Sequence, residues 1–314
     1  MDFYGYMRPN GKAGARNYVL LLPVNRSLNF IASNVERMTR NTRHFEIPAE
    51  TGRTEVDREV IARTLIGLMN NANVGGIVLL AVKSGAGSAY KNMCAERFEE
   101  EARKTGKPLR IVYLTNVGGS YNMLGETLRL TREVLLEVSD FRRENCPLSA
   151  LTLGVKCGTS DATSGIAGNP CVGAAFDQLI RAGGTAFFSE TTEIIGAEDL
   201  VAKRAVNESV AKKILSAARH WEDKAKATGE DIRKINPIPA NIAAGISSLE
   251  EKSLGAIAKS GTSPIQDVLK YAEMPKGSGL YFVDSWMSSL SLPLCLTACG
   301  ATIMLYQMGG GKIA

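Results

Sequence analysis

Histidine is nearly absent from this sequence: His44 and His220 are the only two among 314 residues. A nucleophilic triad built on a histidine base has little to draw on, and His220, beside Trp221 in a charged helical stretch, reads as a surface residue. No apolar run approaches the ~20 residues needed to span a bilayer. The longest candidate, 290–306, is interrupted by Pro293 and Gly300, so no membrane partner is expected. The opening residues, Met1-Asp2-Phe3-Tyr4-Gly5, lack the charged-then-apolar order of a secretory signal. Basic residues form no stripe interleaved with aromatics, which argues against nucleic acid as a partner. Six cysteines are scattered without the spacing of a disulfide framework, so a reducing, cytoplasmic setting is expected. The GxGxxG fingerprint and the P-loop are both missing, and the stretch 84–88 (SGAGS) matches a nucleotide-binding turn only in part.

What is present is ordinary globular composition, with 45% apolar and 22% charged residues, in a chain long enough for two domains. Thirty-seven basic against thirty-two acidic side chains leave +5, a mild field that suits a small anion. Short continuous apolar runs at 17–23, 77–82 and 110–114 predict strands buried on both faces. Between and after them, 32–40, 57–70, 89–105 and 125–138 carry helical periodicity. The alternation predicts an α/β fold: a doubly wound, mainly parallel sheet followed by a second α/β domain. The expected boundaries are 1–146 for a flavodoxin-like or Rossmann-like domain and 147–314 for a C-terminal catalytic domain, with the polar stretch ending at Pro147 between them. In the second half, 151–155, 185–189, 279–284 and 301–306 read as strands, 172–182 as a helix and 198–228 as a long helical stretch.

Three loops gather chemistry. The first, 156–170 (KCGTSDATSGIAGNP), places an amine, a thiol, a carboxylate and hydroxyls beside glycines that let backbone amides approach a ligand. The second is Ser189-Glu190-Thr191-Thr192-Glu193, and the third is 241–252, ending in Leu249-Glu250-Glu251-Lys252. Such parts suit elimination next to a carboxylate. That reaction needs a cation or metal for the charge that builds up on the substrate, a base for the C2 proton, and an acid for the leaving group. Glu250-Glu251-Lys252 also fits an ordinary solvated helix start, and a Gly/Ser loop also fits a turn or helix cap. Cys171, Cys295 and Cys299 read as small core residues.

At these loops the sequence resembles the altronate/galactarate dehydratase family, whose relatives include the large subunit of (2R)-sulfolactate sulfo-lyase. Gly5-Tyr6-Met7-Arg8 and Gly14-Ala15-Arg16-Asn17 look like that family's opening. Lys156-Cys157-Gly158 with Ser160-Asp161, Ser164-Gly165-Ile166 and Asn169-Pro170 resemble LGLKCGGSDxxSGIxxNP. Gly183-Gly184-Thr185, Ser189-Glu190-Thr191 and Gly196-Ala197-Glu198 are similar to GGTxxxSETxExxGAE. Asn236-Pro237, Asn241 and 249–255 (LEEKSLG) match a further block, so the resemblance runs almost the length of the chain. It implies a metal-dependent lyase, with Fe2+ foremost and Mn2+ or Mg2+ as alternatives. The substrate would be a small anionic hydroxy acid: a sugar acid dehydrated to a 2-keto-3-deoxy acid, or sulfolactate split to sulfite and pyruvate. An alternative of another class is a non-catalytic anion-binding subunit. The site residues so implied are Cys157 and Glu190 at the metal; Lys156, Asp161, Glu193 and Lys252 as catalytic groups; and Ser160, Ser164, Asn169, Asn241, Glu251 and Arg53 at the substrate.

The departures from the family pattern concern the first domain and the end. Family segments like HTYGCG and GLGCE are matched here by 49–53 (AETGR) and 81–85 (AVKSG), without histidine or cysteine, and a further expected cysteine is Arg26. Arg26, Arg53 and Lys83 add positive charge instead, which favours a compact dianion. The family's small N-terminal domain has no counterpart in the chain and its C-terminus looks shortened, so a separate small subunit is expected, within a homo-oligomer.

Overall fold

A computed structural model describes residues 2–49, 53–82 and 90–309. The chain divides into two compact units, Asp2–Cys146 and Pro147–Ala314. Lys83, the 84–88 turn and the residues after Gly309 lie outside the described residues.

Strands β1 (Asp2–Met7), β2 (Ala13–Gly14), β3 (Tyr18–Pro23), β4 (Thr42–His44), β5 (Val74–Ala81), β6 (Leu109–Tyr113) and β7 (Glu144–Pro147) belong to the first half of the chain. Four of them form a wholly parallel sheet in the order β4-β3-β5-β6, and β2-β1-β7 make a small separate sheet. Side chains alternate across a strand, so successive residues of β3 and β5 serve opposite layers. Val19, Leu21, Val78 and Leu80 pack under the helices Asn29–Met38 and Ser120–Ser139. The helices Glu55–Asn70 and Ala95–Lys104 pack on each other and on β5. Burial on both faces explains why the apolar runs are continuous. The expected doubly wound sheet is what the chain forms.

One boundary differs for a physical reason. Gly75 and Gly76, read as preceding the strand, lie inside β5. A β-carbon on Gly76 would run into Val134 Cγ1 of the helix Ser120–Ser139. Gly76 is there because a helix lies directly on the strand, and Gly75 because the Asn17 side chain fills the space that a β-carbon would need.

The second unit carries β8 (Thr152–Cys157), β9 (Thr185–Phe188), β10 (Ile265–Leu269), β11 (Gly279–Val283) and β12 (Ile303–Gln307). They form a five-stranded parallel sheet, β10-β11-β9-β8-β12. Phe187, Val283, Leu292, Leu296, Cys295 and Cys299 build one core layer under the helix Ser291–Cys299. Cys295 and Cys299 are thus core residues as expected, but Cys171 is exposed, so its reading as core is corrected. The long helical stretch expected at 198–228 is two helices, Glu198–Ala202 and Glu208–Ala227. It breaks because Ala205 bridges Ile265 at the sheet edge and Asn207 then caps the second helix through Val210 N. Strand β10 went unread because Gln266 and Asp267 interrupt its apolar pattern, as suits an edge. Among the described residues no helix is long and apolar enough to cross a membrane.

Gly76→Ala should destabilise the first unit by about 1–3 kcal/mol through overpacking against Val134. A urea titration reports it as a lowered midpoint; an unchanged midpoint would mean that the helix does not sit on the strand.

Candidate active site

In open α/β sheets, ligands bind outside the carboxyl ends of the strands. In the second unit that edge carries Lys156 and Cys157 at the end of β8, Gln307 at the end of β12, and Ser189 and Glu190 just after β9. Glu190 is held in the left-handed region at φ 73°, a conformation that costs a non-glycine residue on the order of 1–3 kcal/mol and persists only where its surroundings impose it. They do so here. Ser189 Oγ donates to Val283 O at 2.6 Å, Thr191 N donates to Ser285 O at 2.9 Å, and Thr191 Oγ1 donates to Asp284 Oδ1 at 2.7 Å. The bend sends the Glu190 carboxylate back across the sheet end, where Cys157 N donates to Oε2 at 2.9 Å.

Two lysines meet that carboxylate. Lys156 Nζ lies 2.9 Å from Glu190 Oε1, and Lys259 Nζ lies 2.7 Å from Oε2. Lys259 also reaches Glu193 Oε2 at 2.5 Å, and all four side chains are buried. Burial opposes ionisation of Glu190, but Lys259 and Lys156 outweigh it and hold the carboxyl below its ordinary range. For Glu193 burial comes first and the charge of Glu190 adds to it, so this carboxyl is pushed up despite Lys259. Burial also works against the charge on Lys259, yet the two glutamates hold its ammonium above the usual value. Two neighbouring carboxyls are thereby driven apart: one firmly ionised, one biased toward holding a proton. That separation is how a site assigns acid and base roles. Burial pushes the Cys157 thiol up to about 11.

Beside this cluster lies a pocket of about 330 Å³, lined among others by Ser160, Asp161, Ser164, Asn169, Glu251 and Lys252. Ser160 belongs to both, with its Oγ 3.4 Å from Cys157 Sγ. Lys252 is buried, and its Nζ donates to two neutral amide oxygens, Asn236 Oδ1 at 2.6 Å and Asn241 Oδ1 at 2.9 Å. Burial lowers its pKa. Asn169 Nδ2 donates to Gly255 O at 2.8 Å, which fixes the amide and leaves buried Oδ1 with no hydrogen-bond partner. Asn241 is saturated: Oδ1 takes Lys252, and Nδ2 donates to Ser160 O at 3.0 Å.

Of the residues singled out in the sequence, Lys156, Cys157, Glu190 and Glu193 share the cluster, while Ser160, Asp161, Ser164, Asn169 and Lys252 share the pocket, with Asn241 behind it. Asp161 Oδ1 accepts from Ser164 N at 3.0 Å and Thr163 Oγ1 at 2.6 Å, ordering the loop that follows β8. Glu251 is exposed on the pocket rim and accepts from Ser247 Oγ and N, which ties the start of the helix Leu249–Ile257. Arg53 belongs to the first unit, where Nε donates to Ala49 O at 2.6 Å. Sequence reasoning missed Lys259, Asn236 and Gln307. Lys259 carried one signal: a lone charge in the stretch 255–261 (GAIAKSG), where a buried lysine must be paired.

Cys157, Glu190 and Glu193 each offer a ligand atom, all within 4.8 Å of one another, and all three are buried. A thiolate with two carboxylates fits a divalent ion in donor type and spacing. Such an ion would share the carboxylates with Lys156 and Lys259.

Removing Lys259 leaves two carboxylates buried with one cation fewer. Lys259→Met should therefore cost about 3–5 kcal/mol in a denaturant titration, whereas Lys104→Met, at an exposed pair with Glu100 and Glu101, should leave the midpoint in place. Equal midpoints for the two variants would remove the cluster from the folding energetics.

Residues 5–139 match the family model for the D-galactarate dehydratase/altronate hydrolase second domain, and residues 148–314 match the C-terminal domain of D-galactarate/altronate dehydratase. The chain is 33% identical to (2R)-sulfolactate sulfo-lyase subunit beta of Chromohalobacter salexigens, over 99% of this chain and 78% of that protein. It is 32% identical to altronate dehydratase of Bacillus subtilis and 30% identical to galactarate dehydratase (L-threo-forming) of Escherichia coli. Each of these matches covers 98% of this chain but only 62% of the dehydratase. By motif, by domain model and by overall identity, the chain belongs to the D-galactarate/altronate dehydratase family.

Proposed function

We propose that this chain is the site-bearing part of a lyase that performs β-elimination on a small hydroxy-carboxylic acid, with dehydration of a sugar acid to a 2-keto-3-deoxy acid as the leading reading. The observation that carries it is the pairing of a small pocket, where a buried lysine donates to two neutral amide oxygens, with a buried cluster of two glutamates and two lysines at the same sheet end. Lys252 is the clamp for the substrate carboxylate. Charge developing on that carboxylate as C2 loses its proton is stabilised by an ammonium whose direct hydrogen-bond partners are neutral amides. Asn169 Oδ1 is the acceptor for a substrate hydroxyl, and Ser164 orients the chain beside it. Asp161, on the pocket wall, is the base for the C2 proton. Glu193 is the carboxyl biased to hold a proton for the leaving group, with Ser160 as the contact between cluster and pocket.

Cys157 and Glu190 are the residues that would hold a divalent ion, Fe2+ foremost, while Glu193 beside them keeps its proton for the leaving group. Bound there, it would supply Lewis-acid polarisation of an oxygen on the substrate. A separate small partner chain is part of this reading, since one relative is named as a subunit beta. The same match favours a second reading, release of sulfite from sulfolactate. Sulfite takes the place of water as leaving group, with the proton loss at C2 unchanged.

The test is incubation of the protein, supplied with ferrous iron and its small partner, with altronate, galactarate or sulfolactate. A keto-deoxy acid supports dehydration and sulfite supports the second reading. Turnover of none of them would sink both. Lys252→Met should raise KM and lower kcat together, cutting kcat/KM on the order of 30-fold or more through the loss of a partner to a buried charge. Cys157→Ala should strip bound metal, measured by elemental analysis; unchanged metal content removes Cys157 from the ligand set.

A further inference from the structure

Lys259 sits at the centre of the buried cluster, on a single 3-10 turn, Ala258–Ser260, that extends the helix Leu249–Ile257 and leads into β10. One turn of 3-10 helix closed by Gly261 N donating to Ala258 O is a short support for a buried ammonium, and the residues after it are held from outside. Asp177, on the helix Asn169–Arg181, receives hydrogen bonds from the far side of the turn. Thr262 N donates at 2.9 Å and Thr262 Oγ1 at 2.8 Å to Oδ2, while Ser263 N donates at 2.9 Å and Ser263 Oγ at 2.6 Å to Oδ1. From the opposite flank Arg204 donates to Ser260 Oγ at 2.8 Å, Ser260 O at 3.1 Å and Ser263 O at 3.0 Å. The helix itself touches the turn through Gly173, where a β-carbon would collide with Ala258 O. Gly261 takes φ +66° at the apex, beneath Asp177. The two side chains grip Ser260, Thr262 and Ser263, the residues just after Lys259, and neither touches Glu190 or Glu193 in the hydrogen bonds they make.

We propose that Asp177 and Arg204 are positioning residues that hold the Ser260–Ser263 turn so that Lys259 Nζ stays between Glu190 and Glu193. The proposal rests on the reading of that cluster as part of the lyase site. Asp177→Asn places an amide N–H₂ against donors and removes the charge they share, so the turn loosens while the strands that carry Lys156 and the helix that carries Lys252 keep their own supports.

Two measurements test it. The first is a short pulse of acetic anhydride read by mass spectrometry, with Lys156 and Lys107 as buried internal controls. In Asp177→Asn, acetylation of Lys259 should rise about tenfold or more through local opening, with both controls unchanged. The second is steady-state kinetics on whichever acid the protein turns over: kcat should fall on the order of 100-fold, as for a misplaced catalytic group, with KM within about twofold because Lys252 still holds the carboxylate. Lys259 remaining protected, or rising in step with Lys156 and Lys107, overturns the proposal. So does freer labelling with kcat unchanged. If the wild-type protein turns over none of the acids, the lyase reading fails, and the labelling still decides whether Asp177 positions Lys259. Should Asp177→Asn not fold, Ser263→Ala, which removes a single bond to Asp177, is expected to give the same selective labelling at smaller amplitude.

Discussion

One ammonium group, Lys259 Nζ, holds two buried carboxylates together, and much of the second unit's architecture serves that contact. Without a cation between them, Glu190 and Glu193 would repel at close range in a region that water does not screen. With it, the pair is tolerated but not stabilising in itself, since desolvating four charged groups offsets most of the Coulombic gain. The folding energy must come from the apolar layers around the sheet, such as Phe187 with Val283, Leu292 and Leu296. The cluster pushes its two carboxyls in opposite directions: the lysines lower the Glu190 pKa, while burial and the charge of Glu190 raise that of Glu193.

The same contact explains the backbone around it. Glu190 adopts a left-handed conformation that a glycine would take more easily, because only from that bend does its carboxylate reach Lys156, Lys259 and Cys157 N at once. Thr191, tied to Asp284 and Ser285, keeps the bend from relaxing. Strain at this one position is matched by redundancy in the bonds on either side of it, which is the pattern expected where geometry rather than stability is selected.

Local chemistry was legible in the sequence wherever it followed a local rule. Lys156 and Cys157 close an apolar strand and open a loop of Gly, Ser and Asp, and that order marks a strand end facing a ligand. Glu190 and Glu193 follow another strand in the same way. Lys259 obeys no such rule: it is brought to the cluster by a turn whose shape depends on Asp177, eighty-two residues earlier, and on Arg204 on the other flank. Contacts of that separation leave no periodicity behind. Gly75 and Gly76 show the converse, a signal that was visible but carried the wrong sense. Glycine marks both turns and close approaches, and only what lies against β5 decides between them.

Two buried lysines a few residues apart, Lys252 and Lys259, separate structure from function. Lys259 is held directly between the carboxyl groups of Glu190 and Glu193. Lys252 rests on the amide oxygens of Asn236 and Asn241, which orient the ammonium without cancelling it. A buried cation so placed is costly in the free protein, and burial lowers its pKa accordingly. An incoming carboxylate relieves that cost, so part of its affinity comes from a destabilisation already present in the fold, and binding should couple to stability by mass action. The asparagine pair thus has a distinct role from the glutamate pair: glutamates in their place would make Lys252 comfortable and the pocket indifferent to anions. The choice of neutral partners for one lysine and charged partners for its neighbour is what gives the two buried ammonium groups different electrostatic surroundings a few residues apart.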